Sequence, residues 1–296
     1  MRADSKALAY GALAVVFWST VATAFKIALR QVSPIELLAY ASLFSSLVLF
    51  LNIIYFGKIR LLFEISIRNI YKSVLIGLLN PFLYYLVLFK AYSLLPAQEA
   101  LSLNYTWAIV LTFLSSKFQK KQIGLISYIS LFVSFLGVLV IVSKGRIVEL
   151  KPSDPLGALL AISSAFIWGF SWILNVVSKT DDNLRMFLNF FFGAIFSFIY
   201  LAVCNSISLP HFDALIPVAY VGLFEMGITF LIWNKALKYS SNPARVNNLI
   251  YLSPVLSLLF IGFVLQERIE HSSILGLILI LTGIAIQNFF RRNDNF

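Results

Sequence analysis

Apolar residues run along this chain in ten stretches of roughly membrane-crossing length, separated by short polar connections that leave little else to fold. The stretches are Ala7–Leu29, Pro34–Phe56, Ser73–Leu94, Ala97–Leu114, Ile123–Val142, Pro155–Val177, Leu184–Cys204, Ala214–Leu237, Arg245–Leu265 and Ser273–Phe290. A helix needs about 20 mainly apolar residues to cross the hydrocarbon core of a bilayer, so each stretch is read as a transmembrane helix. The pattern predicts an all-α polytopic membrane protein.

The ten stretches fall into two sets of five that echo each other. Leu103, Tyr105 and Gly137 recur as Leu249, Tyr251 and Gly283 at a constant offset of 146 residues, and Leu136-Gly137-Val138 meets Thr282-Gly283-Ile284. Lys90-Ala91 ahead of Pro96-Ala97 is matched by Lys235-Ala236 ahead of Pro243-Ala244, and Phe17-Trp18-Ser19 by Ile167-Trp168-Gly169. Such self-similarity divides the chain into a first five-helix repeat, residues 1–146, and a second, residues 147–296. Five spans is an odd number, so the second repeat enters the membrane from the opposite side and the repeats are inverted. Two inverted halves can exchange conformations around one central site, which favours transport over catalysis.

Composition agrees: 60% hydrophobic and 12% charged residues exceed what a water-soluble domain could bury. With the N-terminus in the cytoplasm, the 23 basic residues split 16 to 7 in favour of that side. This is the positive-inside bias, and it sets both termini in the cytoplasm; the expected location is a bacterial inner (plasma) membrane. It also accounts for the net charge of +10 without a nucleic-acid partner. Arg2 and Lys6 before an apolar run, with Ala22-Thr23-Ala24 behind it, resemble a cleavable signal. The run continues to Leu29, however, and reads as a retained first span. Cys204 stands alone and is read as packing.

Depth singles out the candidate chemistry. Trp normally collects at membrane interfaces, yet Trp18, Trp107 and Trp168 lie near the middles of their spans, where rings gain most by facing the bundle interior. Spacing of three or four residues groups Trp18 with Ala22 and Lys26, Asn80 with Tyr84, and Asn104 with Trp107. It also groups Ser164, Trp168, Trp172 and Asn175, and Asn247 or Asn248 with Tyr251. Aromatic faces with amides suit a flat or amphipathic organic solute better than a bare ion. Glu225 is the one acid near a span midpoint, with Thr229 and Trp233 on its face, and there it can meet a substrate ammonium or a coupling proton. The competing readings are packing for the Trp residues and a helix-to-helix hydrogen bond for Glu225. Ser33-Pro34-Ile35-Glu36 reads as a capping box. Glu99 complements a helix dipole near the cavity mouth. Glu267 is placed at the interface, and Lys26, Lys90 and Lys235 are read as snorkelling anchors.

Local motifs resemble the drug/metabolite transporter superfamily, and within it the ten-span EamA family. They are Phe17-Trp18-Ser19-Thr20, Asn104-Tyr105-Thr106-Trp107, Ala165-Phe166-Ile167-Trp168, Trp233-Asn234, Tyr251-Leu252-Ser253-Pro254 and Gln266-Glu267. The resemblance covers essentially the whole chain. It implies that spans one to four and six to nine enclose a central cavity, with spans five and ten outside it. Asn-Tyr-x-Trp and Trp-Asn are similar to bacterial exporters of aromatic amino acids, although Ala108 stands where that group has proline. The expectation is a secondary transporter of small organic metabolites, amino acids and among them aromatic ones. It needs no cofactor or metal, contacts a small-molecule substrate and the lipid bilayer, and is a monomer or weak homodimer. The substrate-binding candidates are Trp18, Asn80, Tyr84, Asn104, Trp107, Trp168, Trp172, Glu225, Asn248 and Tyr251. The alternative is a membrane-embedded enzyme acting on a lipid or sugar carrier. It is disfavoured because His211 and His271 fall in connections and no H-E-x-x-H or acidic pair lies mid-membrane.

Overall fold

The computed structural model describes residues 3–118, 125–145, 152–176, 180–204, 209–241, 246 and 248–291. Two unbroken helices open the chain, α1 (Ala3–Leu29) and α2 (Pro34–Tyr55). The expected capping box starts α2. Ser33 Oγ accepts from the Glu36 N–H at 3.3 Å, Glu36 Oε2 accepts from the Ser33 N–H at 2.8 Å, and Pro34 fills the first turn, where its missing N–H costs nothing.

The third apolar stretch is not one helix. After the short α3 (Arg60–Glu64), α4 (Ile67–Gly77) gives way to a π-helical segment, Leu78–Leu83, before α5 (Tyr84–Leu94). Asn80 leaves helical geometry there (φ −147°, ψ 114°), because the ring of Pro81 bars the preceding residue from the α region. The fourth stretch divides as well, into α6 (Ala97–Asn104) and α7 (Trp107–Phe118), with a turn at Tyr105-Thr106. Helix α8 (Leu125–Val142) follows.

The second half repeats these features. Helices α9 (Pro155–Val176) and α10 (Asp182–Val203) are unbroken. Helix α11 (Phe212–Tyr220) then runs into a π-helical segment, Val221–Glu225, and restarts after Met226-Gly227 as α12 (Ile228–Tyr239). A 3₁₀ turn, Leu249–Tyr251, leads into α13 (Leu252–Val264), and α14 (His271–Arg291) closes the chain. The π-helical break in the third stretch thus recurs in the eighth, and Tyr105 and Tyr251, 146 residues apart, both sit at a turn that departs from the α-helix.

Among the described residues, six helical stretches are long and apolar enough to cross a membrane: Asp4–Leu29, Pro34–Tyr55, Ile67–Leu94, Pro155–Asn175, Asp182–Val203 and Phe212–Tyr239. Tyr128–Val142, Leu249–Val264 and His271–Ile286 are shorter apolar helices. The fourth predicted span is divided between α6 and α7, and the first residues expected of the fifth and ninth, Ile123 and Arg245, lie outside the described residues.

Helix α8 packs on α14, α2 on α10, α1 on α12, α5 on α9, and α6 on α13, while α1 also meets α13 and α7 meets α9. Buried apolar side chains such as Phe25, Phe89, Leu37, Leu103 and Ile261 form the central core. The outward faces are apolar too: Leu51, Phe132, Leu159, Leu259 and Phe263 are more than half exposed. An outside of that kind suits contact with lipid hydrocarbon, which carries no penalty for exposed apolar surface.

Candidate functional site

A helix interrupted inside a bilayer frees backbone carbonyls that must be satisfied by protein. At the break after α11, Thr229 donates its hydroxyl to the Phe224 carbonyl, and Ser45 of α2 donates to the Met226 carbonyl at 2.9 Å. The break is therefore built and supported, and it presents Glu225 inside the bundle. Thr229, read from the sequence as a companion of Glu225, is fully buried and serves the backbone.

Glu225 Oε1 accepts a hydrogen bond from the Tyr85 hydroxyl at 2.9 Å. The Tyr85 ring packs edge-on against Tyr84 at 4.6 Å, the Tyr84 hydroxyl donates to Asn104 Oδ1 at 3.4 Å, and Asn104 Nδ2 donates to Ser164 Oγ at 2.9 Å. A polar chain thus crosses from the break after α11, through the start of α5 and the end of α6, to α9. One turn beyond Ser164 lies Trp168, whose ring meets Trp107 at 4.3 Å and stacks on Trp172 at 5.1 Å with an interplanar angle of 15°. Tyr105 adjoins Trp107 at 6.3 Å. An acid, hydroxyls, an amide and an aromatic wall therefore stand together, groups that can hold the charged end and the flat body of one small molecule.

The structure brings together Tyr84, Asn104, Trp107, Trp168, Trp172 and Glu225 as the sequence suggested. Trp172 sits at the outer edge of the wall, 39% exposed. Trp18 belongs to a different aromatic group: its ring packs at 5.3 Å against Phe230 and at 5.3 Å against Trp233, both on α12. Its supposed face-mate Lys26 donates to the carbonyls of Tyr92 and Leu95 at 2.9 Å each, capping the end of α5 from α1. The pairing of Asn80 with Tyr84 by helical spacing does not hold, since Asn80 has left the helix, and its Oδ1 is buried without a hydrogen-bond partner. Asn248 is exposed at the start of the 3₁₀ turn, whereas Tyr251 is half-buried against the core; Asn247 lies outside the described residues. Sequence reasoning missed Tyr85, the residue that touches Glu225. Its signal was only a second tyrosine beside Tyr84.

The end of the bundle opposite Asp4 is tied shut. Besides the Lys26 cap, both Glu267 carboxylate oxygens accept from the Ala97 N–H at 3.1 and 3.2 Å, complementing the N-terminus of α6. The Gln98 side chain donates to the Arg268 carbonyl and accepts from the Glu270 N–H, both at 2.8 Å. Glu267 is thus a partner of α6, more than an interfacial acid. At the other end Asp4 accepts from Ser241, and Lys58 pairs with Asp181 at 2.5 Å.

Several long apolar helices, two of them interrupted by π-helical segments and one of these breaks supported by Thr229 and Ser45, define a polytopic membrane protein. The chain belongs to the EamA-like transporter family, whose pattern matches residues 5–143 and again residues 155–289. It is 25% identical over 289 residues to the uncharacterized transporter YoaV of Bacillus subtilis (strain 168), covering 93% of this chain and 94% of that protein. An uncharacterized transporter of Archaeoglobus fulgidus is 24% identical over 280 residues, at the same coverage of both chains. Over 145 residues, 46% of this chain and 44% of the other, it is 26% identical to the uncharacterized inner membrane transporter YhbE of Escherichia coli (strain K12). A crystal structure superposes over 99% of both chains with a TM-score of 0.69 at 20% identity, a likeness of fold.

Proposed function

We propose that this protein is a secondary transporter with ten spans in two inverted five-helix repeats, residues 1–146 and 147–296. It moves a small organic metabolite, an amino acid and foremost an aromatic one, across the bacterial inner membrane by alternating access. The observation that carries this reading is the π-helical interruption at the third apolar stretch of each half, Leu78–Leu83 and Val221–Glu225, joined by the Tyr85–Glu225 hydrogen bond beside Asn104 and the Trp107–Trp168 wall. Interrupted helices at corresponding places in two halves are the pointer to a transporter's binding site. The packing supports the symmetry. Exchanging each span for its counterpart five spans on maps the α1–α12 contact onto α9–α5, leaving α2–α10, α6–α13 and α8–α14 as pairs that map onto themselves.

In this mechanism the aromatic wall takes the flat body of the substrate, Asn104 and Tyr84 fix its polar groups, and Glu225 meets positive charge, either a substrate ammonium or a coupling proton. Untying the Lys26, Gln98 and Glu267 latches opens the site to the side opposite the termini. Counterflow in proteoliposomes tests the reading. Labelled phenylalanine, tyrosine or tryptophan should enter vesicles preloaded with the same unlabelled amino acid, and saturably so. Absence of saturable exchange across a full panel of amino acids and related amines would remove the substrate class.

A further inference from the structure

A cavity of about 210 Å³ lies at the latched end of the bundle, away from the aromatic wall, between the start of α6, the end of α8 and the start of α14. Its lining includes Glu99, Lys144, Ser153, Arg268, Ser272 and Ser273. Glu99 is the unusual member. It is 4% exposed, and its Oε1 is buried with no hydrogen-bond partner. A buried carboxylate oxygen left unmatched costs on the order of 1–3 kcal/mol or more, so a helix-dipole role alone does not explain a carboxylate here. The transport reading makes no use of it.

We propose that this cavity is a second ligand site, at which Glu99 takes the ammonium group of a small primary amine. An ammonium carries three donors and no acceptor. Glu99 Oε1 accepts one of them, and the hydroxyl oxygens of Ser272 and Ser273, which line the same cavity, are acceptors for the others. The neighbouring cations Lys144 and Arg268 are exposed residues with long stems; Lys144 acts on the Glu99 carboxylate through space but leaves its Oε1 without a hydrogen-bond partner. Glu267 is engaged with the Ala97 N–H. A divalent metal is a poorer fit, because the described residues hold no group of three His, Cys, Asp or Glu side chains able to bind one. At about 30 Å³ per water-sized group the volume admits about seven such groups, the size of a short-chain amine. Helix α6 carries Glu99 near one end and Asn104 at the other, so the site lies one short helix from the central chain. Its service as a docking point on the way in or out rests on the transport reading; the binding itself does not.

Calorimetric titration of the full chain in lipid nanodiscs with ethylammonium chloride tests the proposal, with ethanol as the uncharged counterpart. The intact protein should bind ethylammonium saturably and ethanol not at all. Glu99→Gln, which keeps shape and removes charge, should weaken binding by about tenfold or more, the loss expected of a hydrogen bond to a charged group. Ser272→Trp, which fills the cavity from a half-buried position, should abolish it even if Glu99→Gln fails to fold. Glu64→Gln, a remote exposed acid paired with Arg60, should bind as the unaltered protein does. Ethylammonium binding that is absent, that survives both Glu99→Gln and Ser272→Trp, or that disappears only in Glu225→Gln overturns the proposal. Failure of amino acid counterflow with this binding intact would count against the central transport site alone.

Discussion

The Tyr85 hydroxyl donates a hydrogen bond of 2.9 Å to Glu225, joining the first turn of α5 to the break that ends α11. The two residues are 140 positions apart, and each lies beside an interruption, the Leu78–Leu83 segment for Tyr85 and Val221–Glu225 for its partner. The contact holds together the broken stretches of the two halves. A change at either end is felt at the centre of the site.

Glu225→Gln separates the two ways in which Glu225 can meet positive charge. If it carries a coupling proton, the variant loses pH-driven accumulation but keeps exchange of substrate for substrate, because the amide copies the protonated acid in shape. If it holds a substrate ammonium, exchange itself weakens, with a loss of about 1.5–3 kcal/mol in affinity. Accumulation and counterflow measured side by side decide the matter, and no change in either would leave Glu225 a structural partner of Tyr85.

Trp107→Ala and Trp168→Ala should each lower substrate affinity by at least about 1 kcal/mol while leaving folded yield in place, since each removes one face of a ring pair. Because the two rings touch, the double variant should lose less than the sum. Trp18→Ala, in the group with Phe230 and Trp233, should combine additively with Trp168→Ala to within about 0.5 kcal/mol. Parallel loss of yield and activity would mean that the rings only pack.

Two glycines hold partner helices against the breaks. A Cβ on Gly193 of α10 would lie 2.2 Å from Pro81 Cγ, and one on Gly222 would lie 2.4 Å from the Ala41 carbonyl oxygen of α2. Gly193→Ala and Gly222→Ala should therefore each destabilise the protein by about 1–3 kcal/mol. Gly262→Ala, whose nearest neighbour would be an Ile269 side-chain carbon at 3.4 Å, should be close to neutral. Thermal unfolding midpoints in detergent distinguish the three, and equal midpoints for all would refute the close-approach account.

Asp181 joins two connections outside the spans. It caps α10 by accepting from the N–H groups of Asn183 and Leu184, and it pairs with Lys58. Burial would raise its carboxyl, but the Lys58 ammonium and those N–H groups outweigh that and hold it below the usual aspartate range. A carboxyl lowered in the folded state contributes stability that is complete above its unfolded value. That stability disappears as pH falls through the folded value. Asp181→Asn retains the cap and should cost about 0–1 kcal/mol at neutral pH, whereas Asp181→Ala should cost about 1 kcal/mol more. The gap between Asp181→Asn and the unaltered protein should close as pH is lowered below about 4, and a gap that widened instead would contradict the sign.

The 16-to-7 division of basic residues predicts an orientation with both termini in the cytoplasm. Reporters fused after residue 118 and after residue 296 should both score as cytoplasmic. A C-terminus exposed on the other side would break the ten-span arrangement.

The sequence alone marked the apolar stretches, six of which the described residues show as helices long and apolar enough to cross a membrane, because the bilayer tests every stretch of about 20 residues by its apolarity, whatever its neighbours do. It likewise determined the capping box at Ser33 and Glu36, whose bonds close within one turn. It marked Glu225 and the mid-span tryptophans Trp18, Trp107 and Trp168 as out of place for their depth. Tertiary structure decided which of them meet. Trp18 and Trp168 occupy echoing positions in the two halves, yet Trp18 packs on α12 and Trp168 on Trp107 of α7. Spacing by 3.6 residues per turn placed Asn80 on the face of Tyr84, but Pro81 and the π-helical segment break that register. Adjacent residues on a helix point about 100° apart, so Tyr85 can turn to Glu225 while Tyr84 turns to Asn104. The packing of α5 on α9 and the hydrogen bond of Tyr85 to Glu225, 140 positions away, decide which tyrosine faces which partner, and spacing along one helix does not reveal either.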